Sequence, residues 1–184
     1  MDIREALLTR RTIHDYRPEP IAEGAIERAL EAAIRAPNHK LTNPWRFTRV
    51  GPETRQKLTA LGVELKCAKK DKVTPDYRQY LSEKFGNPAE LVVVSQILSD
   101  DPFRRREDYA ATACAIENFC LSLWGEGIGS KWSSGSMTRD DATYEMLDIN
   151  RDDEEIVAFV WAGQPKVIPD PPRDPLETVV RHID

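Results

Sequence analysis

The chain has 184 residues, the usual size of one domain, and its 40% apolar and 31% charged residues suit a soluble globular protein. A formal net charge of −5 argues against broad binding to nucleic acids or membrane surfaces, because both are polyanions. No apolar run reaches the roughly 18 residues that span a bilayer, and the charged N-terminal segment lacks the features of a signal peptide. We therefore expect a single domain over residues 1–184, in the cytoplasm.

The first part of the chain is predicted to be helical. Residues 2–10 and 22–36 repeat apolar side chains at helical spacing, and the proline-containing stretch 17–21 separates them. Pro37 ends the second helix, because a proline disfavours helical backbone in the residue before it. A connection with a basic cluster, APNHKLTNPW, follows at 36–45.

Strands and helices alternate in the rest of the chain. The predicted strands are WRFTRV (45–50), LVVVSQIL (91–98) and EIVAFVWAG (155–163), and the last two are expected to be buried. The predicted helices are a short one after GPET, one or two surface helices within 64–88, a central helix over 105–127, and a helix over 139–148 that Thr138 and Asp141 would cap. This order of elements predicts an α+β fold with a small sheet.

The central helix and the cysteines carry further expectations. Tyr109 and Cys120 fall on the apolar stripe of helix 105–127, which predicts that they are buried. The three cysteines are odd in number and fit no metal-binding spacing, so Cys67, Cys114 and Cys120 are read as small hydrophobic residues in a reducing compartment. We expect no metal site.

The C-terminal region is predicted to be extended. Residues 164–175 are proline-rich, and residues 177–183 have a strand-like pattern. A tail of this kind cannot bury its own apolar residues, and such tails often lie across a partner subunit.

Several short motifs have two interpretations each. The triplet RRT (10–12) is either a phosphate clamp or a charged helix end, and Arg173 on its proline-stiffened segment either pairs with an anion or stays solvated. The stretch KWSSGSMT (131–138) either admits a flat ligand to its backbone or is an ordinary capping loop. His14 and His39 are possible general acids or bases, but neither has a nucleophile partner in the sequence, and no catalytic side chain is assigned.

Together these motifs indicate one kind of ligand. The glycine patterns of phosphate loops and dinucleotide folds are absent, yet anion-binding and planar-ligand chemistry recurs at 10–12, 35–40, 132–135 and 173. That combination predicts a nucleotide-like cofactor with a phosphate and an aromatic ring.

Four stretches in order resemble the nitroreductase family of flavin enzymes: RRTIHDYRPEPI, RAPNHKLTNPWRF, ENFCLSLWGEGIGSKWSSG and GQP…PPRDPLETVV. The resemblance covers nearly the whole chain except about 60–90, and is greatest to short members. It implies a three-layer sandwich, with a small central, mostly antiparallel sheet flanked by helices and a domain-swapped C-terminal tail. It also implies a homodimer with FMN at the interface. Hydride would pass from NADH or NADPH to FMN, and electrons then to nitroaromatics, quinones or related acceptors, by ping-pong kinetics.

The resemblance also assigns roles to residues. Arg10 and Thr12, with Arg11 alongside, would hold the FMN phosphate, and Arg173 from the tail would complete this phosphate site. The ribityl chain and ring would be met from the other subunit by Arg35, Asn38 and His39, and the ring would be lined by Trp132, Ser133, Ser134 and Gly135. Arg35 or His14 could place positive charge near N1 and the C2 carbonyl of the reduced flavin.

The chain departs from the family at three positions, and other functions stay open. Many members have small hydroxyl residues at His39 and Lys40, and Lys or Arg at His14, so the ring contacts, the acceptor and the choice between NADH and NADPH are not fixed. The alternatives are a flavin-binding protein without turnover, such as a sensor or cofactor carrier, and a nucleotide-binding module that has lost flavin.

Overall fold

The computed structural model describes residues 1–183, which form six α-helices and five β-strands. The helices are α1 (Ile3–Thr9), α2 (Ala25–Ala33), α3 (Pro52–Cys67), α4 (Pro75–Gly86), α5 (Pro102–Gly125) and α6 (Asp141–Leu147). The strands are β1 (Tyr16–Arg17), β2 (Trp45–Arg49), β3 (Glu90–Ile97), β4 (Gly129–Ser133) and β5 (Glu154–Pro165). Within this part of the chain, no helix has both the length and the apolar composition needed to cross a membrane.

The strands form one antiparallel sheet in which β5 is the central member. β3 pairs with β5 on one side and β4 pairs with it on the other, while β2 extends the sheet beyond β3 and β1 pairs with the end of β5. The two apolar runs predicted as buried strands are β3 and β5. A mostly antiparallel sheet is therefore confirmed.

Helices cover both faces of the sheet. Side chains alternate along β3, so Val92 and Val94 join a core under α2 and α5, while Leu91 and Val93 join a second core under α3, α4 and α6. The three-layer α+β sandwich predicted from the sequence is confirmed.

Two predictions about individual elements are wrong, and one strand was not predicted. The helix after GPET is not short, because α3 runs for 16 residues and supplies the first part of the 64–88 region. The sequence analysis also predicted no strand between the central helix and residue 139, but β4 lies there and pairs with β5 along its whole length. Residues 177–183 form no strand in the described part of the tail, where a 3-10 turn spans Leu176–Thr178.

The buried face of α5 differs in part from the predicted stripe. Phe119, Cys120 and Leu123 are buried as expected, but Tyr109 is 47% exposed and Cys114 is also exposed. The buried positions in the first half of the helix are instead Asp108, Ala111, Thr112 and Ala115. Small alanines on both helices let α2 pack closely on this stripe, so it faces the core in place of Tyr109.

The cap of α6 is also different from the prediction. Asp140 is the N-cap, and its carboxylate accepts a hydrogen bond from the backbone N–H of Ala142. The Thr138 hydroxyl donates to the carbonyl of Gly135 instead and so closes the preceding 3-10 turn.

Candidate functional site

The segment after α1 lies against β4. The backbone N–H of Ile13 donates to the carbonyl of Ser130 at 3.0 Å, and Thr12 forms a parallel bridge with Ser130. Gly129 makes this approach possible, because a Cβ there would lie 2.5 Å from Cγ1 of Ile13 and 2.9 Å from Cγ of Pro165. The fold thus brings together residues 10–14 and 130–135, two of the four regions singled out in the sequence.

The arginines of the RRT triplet already have partners in the single chain. Nε of Arg10 donates to Oε1 of Glu117 on α5 at 2.8 Å, in a partly exposed ion pair. Arg11 donates to the backbone carbonyls of Leu8 and Arg10, and to Oδ1 of Asp170 in the tail at 2.9 Å. An anion that binds Arg10 through Nε must therefore displace the Glu117 carboxylate, whereas the two terminal NH2 groups form no hydrogen bond within the described residues.

A cavity of about 340 Å³ opens beside the end of β4, on the face of the sheet that α3 and α4 cover. Ser133 and Gly135 line it, as does His14. Nothing lies within 4 Å of the position a Gly135 Cβ would take, so the backbone there is open to a flat ligand. Five aromatic side chains form part of the cavity wall: Tyr77, Tyr80, Phe85, Phe159 and Trp161.

The predicted ring-lining residues do not all face this cavity. Trp132 points to the opposite side of the sheet and packs against the core under α2 and α5, as expected for its alternation with Ser133 along β4. Ser134 is exposed at the end of the strand. The structure therefore separates Trp132 from Ser133 and Gly135.

The cavity is cationic. Lys66, Lys84, Lys131 and His14 line it, and among residues 1–183 no aspartate or glutamate does. Burial, with Lys84 and Lys66 adding repulsion, lowers the pKa of Lys131 from its ordinary value. Burial and the charges of Lys131 and Lys84 likewise lower the pKa of His14, which favours its neutral form at pH 7.

The connection from 36 to 45 is tied to α5 by a chain of hydrogen bonds. Nδ2 of Asn38 donates to the Thr42 hydroxyl at 2.9 Å, and this hydroxyl donates to Oδ1 of the buried Asp108 at 2.5 Å. Oδ1 of Asn38 also accepts from the backbone N–H of Asn43. Three non-glycine residues in this connection have positive φ, namely Lys40, Leu41 and Asn43, so its backbone is strained and held by these bonds.

Two other predicted residues lie on or directly before the same connection. Arg35 directly precedes the connection and His39 lies on it, and both are exposed. Together with Asn38 they stay outside the cavity lining in the described chain. A single chain therefore does not bring this region to Ser133 and Gly135.

Arg173 lies in an exposed tail. The last backbone hydrogen bond from the tail to the body is from the N–H of Lys166 to the carbonyl of Asp15, and the ion pair of Arg11 with Asp170 lies just beyond it. Within residues 1–183, Arg173 forms no hydrogen bond or ion pair. The tail reaches Arg11, but the structure does not join Arg173 to Arg10.

Sequence reasoning missed the lysines and tyrosines of the cavity. The signal available was the lysine-rich run at 66–72, which was read as surface, and Lys131, which directly precedes the WSSG motif. No cluster of three or more His, Cys, Asp or Glu side chains that could hold a metal occurs in the described residues.

Comparison with other sequences gives a family-level match. Residues 7–164 match the model described as Nitroreductase family. A Bacillus subtilis (strain 168) protein named "Putative NAD(P)H nitroreductase YfhC" is 34% identical over 174 residues, which cover 91% of this chain and 87% of that protein.

Solved structures share the fold over the full length. A nitroreductase-like family protein from Bacillus cereus matches with a TM-score of 0.83 at 25% identity, and the match covers 100% of this chain and 97% of that one. A mutant of NfnB, an FMN and NADPH-dependent nitroreductase from Sphigopyxis sp. strain HMH, matches with a TM-score of 0.79 at 17% identity over 99% of each chain. At that identity, the likeness to NfnB concerns the fold alone.

Proposed function

We propose, because this chain belongs to the nitroreductase family, that it is an FMN-dependent oxidoreductase that uses NADH or NADPH to reduce nitroaromatics, quinones or related acceptors by ping-pong kinetics. The observation that carries this proposal is the convergence of residues 10–14 with β4 beside a cationic cavity with aromatic walls. The name of YfhC supports NAD(P)H as the co-substrate. NfnB, which shares the fold, is FMN and NADPH-dependent, so the fold is compatible with this cofactor.

The residues of this site suit a phosphate joined to a flat ring. In this proposal Arg10, Arg11 and Thr12 bind the phosphate, and Arg173 of the tail also binds it. Guanidinium groups suit this role because they bind phosphate oxygens with two parallel hydrogen bonds. Bound FMN would supply hydride acceptance from NAD(P)H and delivery of two electrons to the acceptor.

The end of β4 would face the ring. Ser133, Ser134 and Gly135 offer hydroxyls and open backbone there, while Trp132 supports the strand from behind. Positive charge for the N1 side of a reduced flavin comes from the cavity lysines in this proposal. His14 is a weaker source, because its lowered pKa leaves it largely neutral at pH 7.

The proposed active unit is a homodimer with a domain-swapped tail. Apolar side chains that a single chain leaves uncovered lie on α1, on α5 and along the tail: Ile3, Leu7, Leu8, Phe103, Tyr109, Val167, Ile168, Leu176 and Val179. A second copy that covers them would remove this apolar area from water. Across the same interface, the connection carrying Arg35, Asn38 and His39 would reach the partner's flavin.

We place the enzyme in a reducing cytoplasm, since Cys67, Cys114 and Cys120 are all unpaired. No side chain is required as a general acid, because the acceptor site can exchange protons with water. The residue roles of this chain are therefore binding, orientation and electrostatics.

The experiment is anaerobic reduction of the purified protein. We expect a yellow protein that binds FMN, bleaches with NADH or NADPH, and recovers its colour when a quinone or nitroaromatic is added. Bleaching without recovery on any acceptor, or no bleaching with either nicotinamide, would indicate a flavin sensor or carrier. A colourless protein that takes up no added FMN would indicate a nucleotide-binding module. Light scattering on the yellow protein at low micromolar concentration should report a dimer.

A further inference from the structure

Two lysines lie at the mouth of the cavity beside β4, outside its lining. Lys69 and Lys70 directly follow α3 and its cap, and neither belongs to the cavity wall. Nζ of Lys69 donates to Oγ of Ser136 at 3.3 Å, and Nζ of Lys70 lies 5.0 Å from the centre of the Tyr77 ring. Because Ser136 and Tyr77 both line the cavity, the two ammonium groups lie at its edge, beyond the place proposed for the flavin ring.

The end of a helix is an ordinary place for a lysine, because cations interact favourably with the last carbonyl groups. That reading explains why Lys69 and Lys70 follow α3, but it does not explain where their side chains point. Both turn to residues of the cavity, and neither a hydroxyl nor an aromatic ring removes the charge of an ammonium group. Among residues 1–183 neither lysine forms an ion pair, although Asp71 and Asp76 lie in the same stretch. Two positive charges without an ion-pair partner therefore lie at the mouth.

Two tyrosines of α4 lie beside these lysines. The rings of Tyr77 and Tyr80 stack with their centres 6.4 Å apart and 28° between their planes. Tyr80 is 46% exposed, so part of this aromatic pair faces away from the cavity interior. An exposed aromatic ring next to cations suits a purine, because every base has a flat face that can stack on it. Lys69, Lys70, Tyr77 and Tyr80 together form the rim of the cavity.

The size of the cavity determines which part of a nicotinamide dinucleotide can enter. Its volume of about 340 Å³ is at the small end of ligand sites. A flavin ring bound there leaves no room for a whole dinucleotide, and hydride transfer requires only that the nicotinamide lies against the flavin. The adenosine half must therefore lie outside the cavity, where the rim is.

We propose that the rim binds the adenosine half of the co-substrate, and that Lys69 and Lys70 select NADPH over NADH through the 2′-phosphate. This phosphate is absent from NADH and carries a charge of about −1.5 to −2 at pH 7. The chain as a whole has a net charge of −5, so the two lysines supply an attraction that the average surface does not. The inference names the co-substrate of the proposed function and rests on it.

The binding test uses the FMN-loaded protein with 2′,5′-ADP and 5′-AMP, which differ in the 2′-phosphate and contain no nicotinamide. Calorimetry should give at least about tenfold tighter binding of 2′,5′-ADP, the effect of one good charge-assisted hydrogen bond. The double variant Lys69→Gln/Lys70→Gln should lose that preference, and both positions are exposed, so it should fold. Lys57→Gln, at an exposed position of α3 outside the cavity and the rim, should keep it.

The turnover test compares NADPH with NADH, with one quinone as the acceptor. The overall reaction adds the hydride of the nicotinamide and one proton from water to the quinone and gives a hydroquinone. The ratio of kcat/KM for NADPH to that for NADH should fall about tenfold in the double variant and stay constant in Lys57→Gln. A fluorescence titration of the same variants with FMN should show no change, because the rim lies outside the flavin site.

Four results would overturn the inference. They are equal affinity for 2′,5′-ADP and 5′-AMP, a preference that survives in the double variant, equally tight binding of inorganic phosphate, and weaker FMN binding in the double variant. The last would show that the lysines bind the phosphate of the flavin.

A different result would affect only the proposed function. A protein that takes up FMN and prefers 2′,5′-ADP in a lysine-dependent way, but oxidises neither NADPH nor NADH, would refute the enzyme and support the rim as an adenosine phosphate site.

Discussion

The hydroxyl of Thr42 donates a 2.5 Å hydrogen bond to the carboxylate of Asp108, a residue that is only 5% exposed. This bond joins the strained connection after α2 to the first half of α5. It fixes the region from which Asn38 and His39 are proposed to reach the partner's flavin.

Loss of this bond should destabilise the protein. Thr42→Val keeps the shape of the side chain but leaves a buried carboxylate without its donor, which should cost about 2–3 kcal/mol in the free energy of unfolding, measured with urea. Adding Asp108→Leu should recover part of that loss, because both partners are then apolar. Full additivity of the two changes would show that the bond contributes little.

Arg10→Ala should weaken FMN binding by at least about tenfold, because a charge-assisted hydrogen bond to phosphate is lost. The fold should survive, since Arg10 is partly exposed and its Glu117 partner can turn to solvent. Fluorescence titration with FMN measures the change, and Arg4→Ala on the exposed side of α1 is the control. If the Arg10→Ala protein purified with full FMN content, the phosphate assignment would be wrong.

Glu117→Gln should have the opposite effect on FMN. Glu117 competes with a phosphate for Arg10, and a partly exposed ion pair of this kind is worth up to about 1 kcal/mol. We therefore expect FMN to bind about twofold to fivefold more tightly in the same titration, with Glu107→Gln on α5 unchanged. Weaker binding would indicate that Glu117 orients Arg10 for the phosphate.

Chemical labelling of Cys114 tests the proposed dimer interface. It is exposed in the single chain, but it lies on α5 among the uncovered apolar residues that we propose as the interface. In the folded protein at micromolar concentration it should react slowly with a maleimide, whereas a cysteine introduced by Lys57→Cys should react quickly. Cys120 is an internal control, because burial raises its pKa to about 11. Rapid labelling of Cys114 in the folded protein would contradict this interface.

Lys131 should make the free energy of unfolding depend on pH in the alkaline range. Its pKa is lowered in the folded state by burial and by Lys84 and Lys66, and only Asp15 opposes this. Between the folded pKa and the ordinary value of 10.5, the unfolded chain binds more protons, so stability from this group rises with pH. Lys131→Gln should therefore be more stable than the unaltered protein at pH 7, and the gain should shrink as pH approaches 10.5. A constant difference across that range in urea unfolding would refute the assignment.

The sheet and the two core layers could be predicted from the sequence because β3, β5 and the second half of α5 have continuous or periodic apolar patterns. β4 could not, since Gly129 reads as a helix break and the strand exists through its pairing with β5. Burial of Tyr109 was mispredicted for a similar reason: which stripe of α5 faces inward depends on the alanines of α2, a tertiary contact.

The residues of the candidate site also divide into those that could be predicted from the sequence and those that could not. The arginine triplet and the WSSG motif are recognisable locally, and the structure places their segments side by side. The cationic cavity is not recognisable locally, because Lys131 and the lysines of α3 and α4 are far apart in the chain and meet only when the helices pack on the sheet.

The bridge between Thr12 and Ser130 also sets the order in which the protein can mature on the ribosome. The arginine segment is synthesised before β4 and β5, because Thr12 precedes Ser130 by 118 positions in the chain (130 minus 12). Until then the early segment has no sheet to join, and such long-range pairing is slow to form. The phosphate site proposed here can therefore be complete only after β4 and β5 have been synthesised and paired.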